Sequence, residues 1–494
     1  MKFGVLVSWW QSLILFDNKQ LNMKTQFNIC ALCFLLINQL AYSQNVNWVS
    51  STQQNLWVLN NPIELKNANS STAFDVEINP AQKQQTIDGW GGCFNELGWD
   101  ALQLLETKDR ATVMKSLFDP KDGLKFTICR MPIGANDYAR NWYSLDDSTN
   151  DFAMKYFSIK RDQGILIPYI KEAMKYQSAL KLWASPWSPP VWMKTNKHYA
   201  NKRGDHNELK LENEVLSGNQ FIQDEKYLSA YAMYLSKFVK AYKAEGINVY
   251  AIHFQNEPYT LNQWPNCSWT PSAMRDFIAE YLGPTFRKEN LNTELWLGTW
   301  NNDKMANFDT VLSSPEAMKY IAGVGLQWEG KNIINELHKK YPTVKLMQTE
   351  SECGNGDFSW KDAEHLFYLM KKYLDGGVTV YTYWNMVLAD KGTSSWGWNQ
   401  NALIQIDKAS RKVTYTPEYY AFKHFSNFVT SGSLKIESNG NFKECVAFIN
   451  PNNELVMVAN NLQDDAKTIN IKIGNKCFMV KLQPKSFNTF VVKM

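Results

Sequence analysis

Two glutamates offer the sharpest chemistry in this chain. Asn256-Glu257-Pro258 closes a strand-like run, Val249–Gln255, and Glu350 closes another, Val344–Thr349. A carboxyl that ends a parallel strand of a barrel stands at its mouth, on the rigid part of the scaffold. One carboxyl with a raised pKa can donate a proton while a second, held ionised, attacks carbon; such a pair is the minimum equipment for glycoside hydrolysis. Asn256 adds a hydrogen-bonding group for a sugar hydroxyl. By itself Asn-Glu-Pro is equally a helix cap or a loop tip. Glu352 competes with Glu350, since both lie in Thr349-Glu350-Ser351-Glu352-Cys353; Glu350 is preferred because it directly follows the strand.

The chain holds 19 Trp, and Trp187, Trp300, Trp328 and Trp384 stand at expected strand ends, with Trp396 and Trp398 in the next loop. Any one of them is better read as core. Their shared placement at one barrel face favours a cleft where flat rings stack on sugar C–H faces. Other chemistries lack their signatures: there is no Gly-x-Ser-x-Gly elbow, His-Glu-x-x-His, phosphate loop or dinucleotide fingerprint. His253 reads as a buried, hydrogen-bonded residue of its strand. The acidic loop Asp146–Asp151 lacks regular calcium-ligand spacing. No metal and no cofactor is expected.

Eight β-rich runs separated by helical stretches could position these groups: Thr86–Gly92, Phe126–Ile133, Leu180–Trp187, Val249–Gln255, Leu295–Thr299, Ala322–Trp328, Val344–Thr349 and Val378–Trp384. That alternation is the arithmetic of an α/β fold, a (β/α)8 TIM barrel of parallel strands. Lys226–Glu245 is one amphipathic helix, with Tyr227, Ala230, Tyr231, Tyr234, Leu235 and Phe238 at helical spacing. After about residue 410 short strands alternate with polar turns: Leu434–Ser438, Cys445–Asn450, Leu455–Asn460, Ile469–Ile473 and Phe478–Leu482. These predict a side β-sandwich, joined by the N-terminal pieces Trp48–Ser51 and Ala73–Ile78. The expected domains are 44–80 (strands joining the sandwich), 81–410 (barrel) and 411–494 (sandwich).

At 494 residues, with 52 basic and 48 acidic side chains, the chain has the bulk for a large core and no charge excess that would favour nucleic acid or an anionic membrane. Residues 1–43 read as a targeting segment: Met23-Lys24 gives a basic start, Ile29–Ile37 an apolar core, and Ala41-Tyr42-Ser43 a cleavage site. Residues 1–22 fit no such layout, so Met23 is a candidate true start. Export to the periplasm or beyond is therefore expected, with no stable membrane insertion and a monomer as the simplest state. Of eight Cys, six lie beyond the leader at scattered positions, and most are expected to be buried thiols.

Taken together, Thr86-Ile87-Asp88-Gly89-Trp90-Gly91-Gly92, Arg130-Met131-Pro132-Ile133-Gly134, the run from Ala184-Ser185-Pro186-Trp187 through Trp192-Met193-Lys194-Thr195-Asn196, and Gln255-Asn256-Glu257-Pro258 resemble glycoside hydrolase family 30. The motifs fall in the family's order from about residue 80 onward. The resemblance implies a barrel with a side sandwich, and hydrolysis with retention of anomeric configuration. It implies Glu257 as acid/base and Glu350 as nucleophile, with Asp137, Trp187, Asn256 and Trp384 around the innermost sugar and Trp328, Trp396 and Asn399 as further contacts. Carboxyl groups in a retaining pair lie about 5–5.5 Å apart. Gln327-Trp328-Glu329-Gly330-Lys331 and Thr349–Gly354 depart from the family's glucosylceramidase pattern and look more like its β-1,6-glucanase branch. An endo-acting β-1,6-glucanase is therefore the leading expectation. Glucosylceramide or another β-glucoside is the alternative and xylan a third, while a non-catalytic glycan-binding protein remains a different class of answer.

Overall fold

The computed structural model describes residues 45–69, 71–214 and 217–494. The expected leader, 1–43, lies outside the described residues.

The barrel strands are β1 (Gly89–Cys93), β2 (Ile128–Ile133), β3 (Lys181–Pro186), β4 (Val249–His253), β5 (Glu294–Trp300), β6 (Ile321–Gln327), β7 (Lys345–Glu350) and β8 (Val380–Asn385). They close into one parallel barrel in chain order, with β8 pairing back onto β1. All eight expected runs are barrel strands, though Thr86 belongs elsewhere. It ends a sandwich strand, Val76–Thr86, and the chain re-enters the barrel at Gly89.

Close packing explains the glycines of the first motif: a Cβ on Gly91 would lie 1.7 Å from the Ile128 carbonyl oxygen. Inside the barrel, Ile128, Trp183, Ala251, Trp296, Met347 and Val380 form a small core of their own. His253 stacks between Trp183 and Trp296 at centroid distances of 4.5 and 5.4 Å, and burial holds its pKa well below the ordinary value. Stacking and a hydrogen bond with the Gly298 backbone fix this ring. A Cβ on Gly325 would lie 2.6 Å from it, so the glycine makes its room.

The expected helix spans Glu225–Ala244, capped by the Asp224 side chain, and buries Tyr231, Tyr234, Leu235 and Phe238. Asp146 and Asp151 of the acidic loop accept hydrogen bonds from backbone N–H groups of their own loop, Ser148 and Tyr156.

Among the described residues eleven strands form the second sheet, whose longer members run in order from the N-terminal Asn45–Ser51 through Ser486–Lys493, Glu454–Asn461, Cys445–Ile449 and Leu434–Asn439 to Val76–Thr86, Lys467–Ile473 and Lys476–Leu482. Residues from both ends of that path, such as Val46 and Val492 with Ile471 and Val480, share one core, so the sheet folds over itself into two layers. Alternation feeds two cores from single strands. Leu455, Met457 and Ala459 face the sandwich interior, whereas Val456 and Val458 join the core around the barrel.

Two elements depart from the expected strand pattern. Pro417–Ser426 is a helix, begun by a Thr416 cap and packed through Phe425 on Phe367 of the helix Trp360–Asp375, and Ser486–Lys493 is an additional strand. Among the described residues six Cys stand as separate thiols, five of them buried. Among the described residues no helix is long and apolar enough to cross a membrane, and no group of His, Cys, Asp or Glu is placed to hold a metal.

Candidate active site

The Asn-Glu-Pro tripeptide leaves β4 without leaving the barrel's hydrogen-bond pattern. Asn256 N–H donates to the Pro186 carbonyl (2.8 Å) and Glu257 N–H to that of Thr299 (3.2 Å), so the neighbouring strands β3 and β5 fix both residues. Glu257 adopts φ +44° and Trp328, just after β6, φ +48°. A non-glycine residue in this left-handed region is held against its preference, a feature that concentrates at functional sites.

Arg130 of β2 is the hub beneath the cleft. Fully buried, its guanidinium sits 4.2 Å from the Trp187 ring centre, 5.0 Å from Trp183 and 5.2 Å from Trp384. It donates to Glu350 Oε2 (2.6 Å), to Asn256 Oδ1 (2.6 Å) and to Ser185 Oγ (2.9 Å). Asn256 Oδ1 also accepts from Thr299 Oγ1 (2.8 Å), so its amide is locked by strands on either side. The two glutamates thus have different companions. Glu350 carries a cation; Glu257 receives neutral amides, Gln327 Nε2 on Oε1 (3.0 Å) and Asn262 Nδ2 on Oε2 (3.4 Å).

Those companions set the proton affinities. Burial, and then the charge of Glu350, push the Glu257 pKa up to about 7, against the opposing pull of Gln327, Arg130 and Asn262. Burial also raises Glu350, but there Arg130 opposes it through both charge and hydrogen bond. Asp137, buried and next to both glutamates, is raised well above the carboxylate range, first by burial and then by Glu350 and Glu257. A hydrogen bond from the Trp187 side chain opposes that rise.

A cleft of about 390 Å³ opens over this centre, lined by Asp137, Glu257, Trp328 and Glu350 of the expected set. Asn256, Trp187 and Trp384 lie beneath, as the floor and its support, and are buried. Two expected contacts do not reach it. Trp396 is turned inward, packed on Trp142 (4.0 Å) and bonded through Nε1 to the Asn136 carbonyl (3.3 Å). Asn399 accepts from Thr393 Oγ1 (2.6 Å), tying off its own hairpin, so its neighbours Trp398 and Gln400 face the cleft instead. Glu352 is ion-paired with Lys331 (2.5 Å) and is not among the described residues that line the cleft, whereas Glu350 is. Trp300 is core, stacked on Phe308 at 4.4 Å.

The contacts that sequence reasoning left out include Arg130, Gln327, Thr260, Asn262, Trp264, Asn301 and Gln400. Arg130 and Gln327 stood inside segments already singled out; their one signal was a polar residue at an inward position of a barrel strand. A larger hollow, about 530 Å³, lies by Lys345 at the opposite end of β7, with Asp375 as its sole carboxylate among the described residues. It lacks the paired acids of the cleft.

The model of the glycosyl hydrolase family 30 TIM-barrel domain matches residues 87–429, and that of the family's beta sandwich domain residues 432–490. The chain is 31% identical to a putative glucosylceramidase 1 of Caenorhabditis elegans, over 77% of this chain and 75% of that one. It is 24% identical to an endo-1,6-beta-D-glucanase of Neurospora crassa, over 85% of each. Among solved structures, SrfJ from Salmonella typhimurium shares the fold with a TM-score of 0.82 at 24% identity, over 91% of this chain and 100% of SrfJ. With barrel and sandwich both matched in sequence and both present in the structure, the chain belongs to glycosyl hydrolase family 30 and is a glycosidase of that family.

Proposed function

We propose that this glycosidase cleaves β-1,6-linked glucan by double displacement. Glu350, kept anionic by Arg130, attacks the anomeric carbon while Glu257 protonates the departing oxygen; Glu257 then takes a proton from water, which releases the sugar with its configuration retained. The observation that carries a glycan reading is the make-up of the cleft wall. Among its described lining residues are three tryptophans, Trp264, Trp328 and Trp398, and otherwise only hydroxyl, amide and carboxyl side chains. Aromatic faces with polar groups between them suit sugar rings, whereas a ceramide tail would call for aliphatic surface. The linkage rests on the loop residues Gln327–Lys331 and Thr349–Gly354, which resemble the β-1,6-glucanase branch. An extracytoplasmic site of action, reached through the leader at 1–43, completes the proposal.

The likeness to a putative glucosylceramidase supports the second reading, glucosyl lipid as substrate. Both are tested by offering linear β-1,6-glucan and glucosylceramide to the mature protein and to Glu350→Gln, with the product anomer followed by NMR. Release of β-anomeric sugar from the glucan by wild type alone is expected. Cleavage of the lipid alone would replace the first reading with the second, and an α-anomeric product would remove the mechanism.

A further inference from the structure

We infer that the cleft is blind on its glycone side, so that the enzyme takes its substrate by a free non-reducing end and releases one sugar at a time. This deepens the proposed function and rests on its assignment of Glu257 and Glu350.

The loop after β8 is tied to the loops after β2 and β4. Tyr138 OH donates to the Gly392 carbonyl (2.9 Å), Ser395 Oγ to that of Ala139 (2.7 Å), and Trp396 packs on Trp142 at 4.0 Å. The decisive contact is Trp398 against Trp264, whose ring centres lie 4.4 Å apart. Trp264 follows β4 and Trp398 follows β8, and in a closed eight-stranded barrel those two strands face each other across the mouth. Their side chains therefore bridge it. A pyranose held between two aromatic faces needs van der Waals contact on both sides, a ring separation of about 7–8 Å. No sugar chain fits between rings at 4.4 Å.

Behind the bridge lies the polar end of the site. Asp137, a buried carboxyl that lines the cleft, follows β2; Trp187 and Trp384, at the ends of β3 and β8, floor the same side. Those strands belong to the half of the mouth that the tied loops cover. On the other half Trp328 is only half-buried and Glu329 is exposed, which leaves an open way out for the leaving group. In the inferred pose one ring occupies the covered end, and a second unit attached to its 6-oxygen meets the Trp264–Trp398 bridge. This departs from the endo action expected from the sequence, where the loop-to-loop contact could not be seen.

Two chromogenic substrates test it without any polymer: nitrophenyl β-glucoside and nitrophenyl β-1,6-diglucoside. A blind site frees nitrophenol directly from the first, but from the second only after glucose has been removed. The expected wild-type ratio of direct release, diglucoside to monoglucoside, is below ~0.01, and Trp398→Ala or Trp264→Ala raises it at least ~10-fold. Direct release of an intact disaccharide by wild type overturns the inference and leaves the catalytic assignment standing. Hydrolysis of the monoglucoside that survives Glu350→Gln removes the assignment, and the inference with it. Should both tryptophan variants misfold, the wild-type ratio still decides.

Discussion

Glu257 and Glu350 share one cleft in different company, and the difference sets how they respond to pH. With Glu257 raised to about 7 and Glu350 raised less freely because Arg130 opposes burial, activity should rise with pH as Glu350 ionises and fall as Glu257 loses its proton near pH 7. Glu257→Gln should lower kcat/KM for unactivated glycans by roughly 10²–10⁴ and abolish that falling limb; a limb that persists would assign the acid elsewhere. The same group should burden stability. Between its ordinary 4.5 and about 7 the folded protein holds a proton that the unfolded chain gives up, so stability falls as pH rises through that window. Glu257→Gln should therefore melt higher than wild type above pH 7, by at most about 3 kcal/mol, and show no advantage below pH 4.5. An equal gain at both ends of the scale would refute this origin. The two acids were legible because each directly follows a β-rich run. Arg130 was not, because the residue it serves is 220 positions away and reached only once the barrel closes.

At the scale of elements, Lys194 explains how the loop after β4 is held. Its ammonium is buried and donates to the Tyr199 carbonyl (2.8 Å), Asn201 Oδ1 (3.0 Å) and the Asn266 carbonyl (2.5 Å), with burial lowering its pKa to about 7. It thereby staples the loop after β3 to the one that carries Asn262 and Trp264. Lys194→Met would strand three acceptors, a cost of ~1–3 kcal/mol. Because the Asn262 hydrogen bond lowers the Glu257 pKa, loosening that loop should also move the falling limb of the pH–activity curve to higher pH. A variant that loses stability with an unmoved limb would make Lys194 purely structural. The eight barrel strands could be read from sequence because buried parallel strands are continuous apolar runs of limited length. The helix Pro417–Ser426 had a signal too, Thr416 before Pro417 and Glu418, which is a start pattern hidden among strand-like neighbours. In the loop after β8 no periodicity could tell Asn399 from Gln400; the turn that ties Asn399 to Thr393 decides which faces the cleft.

Barrel and sandwich are joined by more than a linker. Val446, Phe448, Val456, Val458 and Phe487 of the sandwich belong to the apolar core that surrounds the barrel, and Phe487 lies 5.0 Å from the ring of Trp360. At this seam His424, wholly buried, places one ring nitrogen 2.9 Å from Ser51 Oγ and the other 2.8 Å from Thr489 Oγ1, so one imidazole ties the helix Pro417–Ser426 to the first and last strands of the sandwich. Burial, and secondarily the charge of Lys423, lower its pKa to about 3. Unfolding at mild acidity lets this ring bind a proton that the folded seam refuses. Its contribution is complete above the ordinary 6.5 and is lost as pH falls toward 3. A neutral amide at this position cannot titrate, so His424→Gln should lose stability at pH 7 through poorer packing yet lose less than wild type on going from pH 7 to 4, by about 3 kcal/mol. Because the seam is shared, barrel and sandwich should melt together. Calorimetry of wild type at pH 4 and pH 7 should show one transition at each, and two separated peaks at neutral pH would mean that the common core does not couple the domains.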